Sequence, residues 1–140
     1  MRDPMMDTIH FSLANNFDEL TRLMSSAEDF LRSRQIPERT IYCVNLILEE
    51  VVTNVIKYAF KDEWAHEIQL MLSLQESEVT IRCEDDGCAF DPLSLPPPQL
   101  HDSIMDCTEG GLGIYLVRQT AHSMNYLREN GKNILTITIK

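Results

Sequence analysis

At 140 residues the chain fits one domain and is long enough to bury a substantial core. Its 44% hydrophobic and 24% charged content is that of an ordinary globular protein, and no apolar run approaches the length of a membrane span. Twelve Lys and Arg against 22 Asp and Glu give a formal net charge of −10, which argues against nucleic-acid and anionic-membrane partners and for basic or mixed-charge protein surfaces.

The opening stretch MRDPMMDTIHF lacks an apolar core followed by a small-residue cleavage site, so a cytoplasmic location is expected. Residues 7–14 alternate apolar and polar through Ile9, Phe11 and Leu13, the pattern of a strand. Asn15 or Asn16 then caps a helix to about Arg34, with Phe17, Leu20, Leu23, Ala27 and Leu31 on one face. Pro37 suits the first turn of a second helix that ends near Phe60. Two alternating strands follow over 67–75 and 78–84, joined by a short link at Glu76-Ser77 that reads as a hairpin.

Residues 85–109 break all periodicity, and Pro92 and Pro96-Pro97-Pro98 exclude a helix interior or a central strand. A loop of that length in a compact domain is uncommon unless it is a functional lid or disordered. The glycine cluster Gly110-Gly111-Leu112-Gly113 then opens a helix to about residue 123. Two last strands, 124–130 and 133–139, meet at Asn130-Gly131. The order β-α-α-β-β-(loop)-α-β-β segregates helices from antiparallel strands. It predicts an α+β fold, a two-layer α/β sandwich with helices on one face of the sheet.

The four cysteines form no C-x-x-C pair; Cys43 and Cys83 read as small buried hydrophobes, while Cys88 and Cys107 fall in the loop. The histidines are scattered and take no predicted role.

Three stretches carry chemistry. On the second helix Glu50, Asn54 and Lys57 form a polar ladder flanked by apolar residues, with Glu49 and Thr53 beside it. A carboxylate and an amide oxygen one turn apart suit proton acceptance and a hard cation; the same spacing also fits a solvated stripe. At the end of the third strand, Asp85 precedes the turn Asp86-Gly87. A carboxylate there can accept a hydrogen bond from an exocyclic amine, and a glycine permits close approach, though D-D-G also makes ordinary turns. Lastly, glycines at a helix N-terminus let backbone N–H groups converge on an anion. No Gly-Lys-Ser/Thr follows them, so this is not a Walker A loop.

Taken in order, E-x-x-x-N on a helix, D-x-G at a strand end, a long loop and G-x-G opening a helix resemble the Bergerat ATP-binding fold. Within that superfamily the strings EEVVTNVIKYAF, EDDGCAFDP, GGLGIYLVRQ and GKNILTITIK look most like the RsbW/SpoIIAB-type anti-sigma factor serine kinases. The resemblance runs from the first strand to the last. It implies a single ATP-binding domain over residues 1–140, with 92–109 as the ATP lid. It also implies ATP or ADP with Mg²⁺ as cofactors, Asn54 as the Mg²⁺ ligand and Glu50 as the catalytic general base. Asp85 would bond the adenine amine, with Gly87 and Ala89 beside the base. Gly110, Gly111, Leu112 and Gly113 would meet the phosphates, and Lys57 would border the nucleotide.

Two positions depart from the family pattern. Ala89 replaces the superfamily's second adenine-side glycine, in a D-x-G-x-x-F-D-P string familiar among the short anti-sigma kinases. No Lys or Arg lies between Arg82 and Arg118, so the lid supplies no cation to the phosphates, and Glu109 stands near that place. The resemblance implies a serine protein kinase that phosphorylates a STAS-domain antagonist and sequesters a sigma factor or similar regulator. The competing expectations are a nucleotide-gated protein-binding module with little or no catalysis and, last, a slow ATPase. Relatives commonly dimerise, and residues 7–34 are the expected homodimer surface.

Overall fold

A computed structural model describes residues 6–62, 64–76, 78–94 and 111–140. Strand β1 spans Met6–Ala14, and helix α1 follows over Phe17–Ser33. Asn16 caps α1 by accepting the Glu19 N–H at 2.9 Å, and the Glu19 carboxylate reaches back to the Ala14 N–H at 3.3 Å. The helix stops at Gln35, whose φ of 59° is left-handed. There Gln35 N–H bonds the Arg32 carbonyl at 3.0 Å and Ile36 N–H bonds the Leu31 carbonyl at 3.1 Å. That crossed pair satisfies two carbonyls the helix would leave open.

Helix α2, Glu38–Asn54, begins just after Pro37, which stands at the N-cap. Its face of Ile41, Val44, Ile47, Leu48, Val51 and Val52 is buried, as the apolar spacing predicts. Regular α-helix does not continue to Phe60, however. From Val55 to Ala59 the chain widens into one π-helical turn, and extended backbone resumes at Phe60. Strands β2 (Glu67–Gln75) and β3 (Glu78–Asp85) follow. Then come a short 3-10 turn at Pro92–Ser94 and helix α3 (Gly111–Thr120). Strands β4 (Ser123–Glu129) and β5 (Lys132–Ile139) close the order. Asn130 and Gly131 have φ of 54° and 75°, the paired positive values that a two-residue hairpin between twisted strands requires.

Among the described residues, all the strands join one antiparallel sheet in the order β1-β2-β3-β5-β4. The α+β two-layer expectation holds. Period-two alternation turns every second side chain toward the helices, and the register aligns these into rows: Leu74–Val79–Ile139, Leu72–Ile81–Ile137 and Leu70–Cys83–Leu135. Side chains buried this fully contribute about 1.5–3 kcal/mol each. One step further along the same face the row turns polar. Asp85 pairs with Asn133, and both are 5% exposed. The sheet therefore carries a polar pair at one end of its apolar face.

One further helix end differs from the sequence expectation. Helix α3 ends at Thr120, three residues early, because His122 N–H already bonds the Thr138 carbonyl at 2.8 Å and starts the β4–β5 pairing. Ser77 of the β2–β3 link lies outside the described residues, as do Pro96–Pro98, Cys107 and most of the expected lid (95–109).

Candidate active site

The polar pair at the sheet end meets the second half of α2 and the start of α3 around an open cavity of ≈ 410 Å³. Asn54, Asp85, Phe90, Ile114, Tyr126 and Asn133 are among its lining residues.

Asp85 ends β3 with its carboxyl in the cavity wall. Its Oδ1 accepts the Gly87 N–H at 2.8 Å and the Asn133 Nδ2–H at 2.9 Å. Burial pushes the carboxyl above the usual carboxylate range, and the two hydrogen bonds oppose that rise. Gly87 is held by a backbone approach that no larger residue permits. A Cβ there would stand 2.7 Å from the Cβ of Ala59 and closer still to its carbonyl oxygen. That carbonyl, at the end of the π turn, accepts the Cys88 N–H at 2.7 Å. The π turn thus presents an open carbonyl to the Asp86-Gly87 turn. Gly87→Ala is expected to push the turn off Ala59 and to destabilise the protein by about 1–3 kcal/mol, measured by urea denaturation.

The ladder on α2 divides by environment. Asn54 is buried rather than solvated, and its Nδ2 has no hydrogen-bond partner among the described residues. An unpaired buried amide is unfavourable unless a ligand completes it. Glu50, one turn earlier, is half-buried and packs against α3. A Cβ on Gly113 would stand 2.8 Å from Cδ of Glu50 and closer to Oε2, so the glycine makes room for the carboxylate. Burial, then the neighbouring Glu49 charge, raise the Glu50 pKa; Lys57 opposes them. Lys57 itself is exposed, and Thr53 is half-buried.

Gly111 opens α3 with Gly113 in its first turn. Gly110 lies outside the described residues. Ala89 is exposed beside Phe90, whose N–H bonds Asn133 Oδ1 at 3.3 Å. The structure thus sets Asn54 and Asp85 in one cavity wall, with Gly87 bonded to Asp85, and packs Glu50, one turn from Asn54, against Gly113.

Sequence reasoning missed Asn133, Tyr126 and Arg128, which surround Asp85. The signal for Asn133 was present: in KNILTITI it occupies the parity of Leu135, Ile137 and Ile139, so a polar residue faces the core. His66 was also missed. Its ring stacks on Phe60 with centroids 4.2 Å apart and bonds Asp62 at 2.7 Å and Asp86 at 3.2 Å, tying the α2–β2 connection to the turn beside Asp85. The hydrogen bond to Asp62 leads the causes that raise the His66 pKa. Of the cysteines, Cys83 is buried, Cys43 half-buried and Cys88 exposed.

The family described as the histidine kinase-like ATPase domain matches residues 13–139. The chain is 33% identical over 100 residues to the serine/threonine-protein kinase BtrW of Bordetella bronchiseptica, covering 71% of this chain and 70% of that one. It is 26% identical over 96 residues to the serine-protein kinase RsbW of Bacillus cereus, covering 66% of this chain and 59% of that one. The solved structure of the RsbU and RsbW domains of a Mycobacterium tuberculosis protein shares the fold, with a TM-score of 0.65 over 96% of this chain and 32% of that chain, at 12% identity.

Proposed function

Because the chain belongs to the histidine kinase-like ATPase family, in its RsbW-type serine kinase branch, we propose that it binds ATP with Mg²⁺ and phosphorylates a serine of a STAS-domain antagonist. Phosphorylation would decide whether the protein holds that antagonist or a sigma factor or similar regulator. The observation that carries this reading is the buried Asn54 in the cavity wall, one helical turn from Glu50, whose amide nitrogen has no hydrogen-bond partner among the described residues.

The site residues fit the cofactor. The two ends of a carboxamide differ little in shape, so Asn54 can turn its oxygen toward the cavity. Mg²⁺ commonly takes one or two protein oxygens and completes its shell with phosphates and water, so one amide oxygen is sufficient. When bound, the ion would neutralise charge on the phosphate oxygens. Asp85 accepts from the adenine amine, and the N–H groups at the start of α3 face the phosphates. Glu50 takes the proton from the incoming serine hydroxyl as its oxygen bonds the γ-phosphorus. The bond from that phosphorus to the β–γ bridging oxygen breaks, and ADP leaves. With no Lys or Arg between Arg82 and Arg118, the α3 N–H groups and Lys57, together with the ion when bound, would meet the transition-state charge. Residues 92–109 act as the lid over bound nucleotide.

That missing cation favours a second reading, a nucleotide-gated binding module whose partner affinity follows lid ordering. Phosphotransfer from γ-labelled ATP to the STAS-domain protein encoded nearest this gene separates the two. Label on a partner serine is expected. No label on this or other candidate substrates, despite tight Mg²⁺-nucleotide binding by calorimetry, would favour the binding module. Phosphate release without any partner would indicate an ATPase.

A further inference from the structure

Asn133 starts β5 on the face that otherwise holds Leu135, Ile137 and Ile139, and it is 5% exposed. Its Nδ2 donates to Asp85 Oδ1 and to the Cys88 carbonyl, each at 2.9 Å. Its Oδ1 accepts from Phe90 N–H at 3.3 Å, from Arg128 Nη1 at 3.1 Å and from the Tyr126 hydroxyl. Arg128 Nη1 also donates to the Gly87 carbonyl at 2.8 Å. Three donors converge on one end of the carboxamide and two acceptors on the other. The orientation of the amide is therefore fixed by its partners.

That orientation sets what Asp85 presents. The N–H groups of Asn133 and Gly87 on Oδ1 favour the ionised, accepting form of the carboxyl, against the pull of burial. If the Asn133 amide were reversed, its oxygen would face Asp85 and favour the protonated acid, which donates. An acceptor at the cavity wall pairs with a purine 6-amino group and repels a 6-oxo group; a donor does the opposite. Resting on the nucleotide reading above, we infer that Tyr126 and Arg128 are positioning residues which, by orienting Asn133, make the cavity prefer a 6-amino over a 6-oxo purine. A simple brace between the β4–β5 hairpin and the Asp86-Gly87 turn would affect both bases alike.

The test is calorimetric affinity of the full chain, with Mg²⁺, for ATP and for inosine triphosphate, which carries a 6-oxo group. Wild type is compared with Tyr126→Phe, Arg128→Leu and Arg128→Lys. Tyr126→Phe removes one oxygen and Arg128 is exposed, so both folds are expected to survive; a thermal melt checks this. Wild type should prefer ATP. Tyr126→Phe and Arg128→Leu should each shrink that preference by about tenfold, and Arg128→Lys should restore most of it. Weakening of both nucleotides by the same factor, with the preference intact, would overturn the inference while leaving nucleotide binding standing. Wild type that binds neither nucleotide would instead sink the nucleotide reading. A ligand-free readout is exchange of the Asn133 carboxamide protons with solvent by NMR. Faster exchange in the Tyr126→Phe/Arg128→Leu double variant is expected, and unchanged protection would refute the orienting step.

Discussion

Glu50→Gln is expected to slow phosphotransfer to a serine acceptor by about 10²–10⁴-fold while leaving ATP affinity nearly unchanged. The reason lies in the packing. Glu50 fills the space that Gly113 leaves at the start of α3, and glutamine has the same shape, so the substitution removes basicity and little else. Burial and the Glu49 charge raise the Glu50 pKa, which brings a carboxylate closer to the range useful for a base at neutral pH. The acid limb of the rate profile follows: wild-type transfer falls as pH drops through the raised pKa, because protonated Glu50 accepts nothing. The glutamine variant should lack that limb. Linkage gives stability the opposite sign. The folded state holds the Glu50 proton more tightly than the unfolded chain, so this group's contribution is fully present below the unfolded pKa and is lost as pH rises through the folded one. The glutamine variant should therefore be no less stable than wild type at pH 7, checked by thermal melting. Unchanged phosphotransfer in this variant would remove Glu50 from the mechanism, whereas a nucleotide-gated binding module predicts unchanged partner affinity.

The elements legible in the sequence are those whose side chains report their own surroundings. The β2 and β3 alternation, the apolar face of α2 and the Asn130-Gly131 turn each follow from local pattern, and the register then places Leu70, Cys83 and Leu135 in one row. Glu50, Asn54, Asp85 and Gly113 were legible through spacing plus family resemblance. Two features were not. The π turn over Val55–Ala59 leaves no mark in an apolar periodicity that still reads as helix; its role emerges only from the Ala59 carbonyl meeting Cys88 N–H and the Gly87 backbone. The ring around Asp85 draws on β3, β4, β5 and the following turn, so Tyr126 and Arg128 read locally as ordinary strand residues. Their partners are set by pairing between strands, including Arg128 opposite Asn133. The buried state of Asn54 belongs to the same class, since its helix stripe looks solvated until α3 and the sheet close over it.

Asp85→Asn should weaken ATP binding by about 10–100-fold and bring inosine triphosphate level with or ahead of ATP. An asparagine at 85 can keep its oxygen where Oδ1 accepts the Gly87 and Asn133 N–H groups. Its nitrogen then stands where the second carboxylate oxygen stood, and a donor faces the cavity. The internal network survives, so loss of affinity would not come from a collapsed turn. Stability supplies the control, and its sign follows from burial. Desolvation raises the Asp85 pKa, so at pH 7 the ionised side chain is held in the fold less comfortably than in the unfolded chain. Its contribution is largest below the unfolded pKa and falls as pH rises through the folded one. A neutral amide escapes that penalty, and the variant is expected to melt no lower than wild type at pH 7. Calorimetry with both nucleotides and one thermal scan decide the matter. A variant that melts normally and still prefers ATP as strongly as wild type would show that base selection lies elsewhere in the cavity. Loss of ATP binding with a normal melt and a reversed preference would assign it to the Asp85 carboxylate.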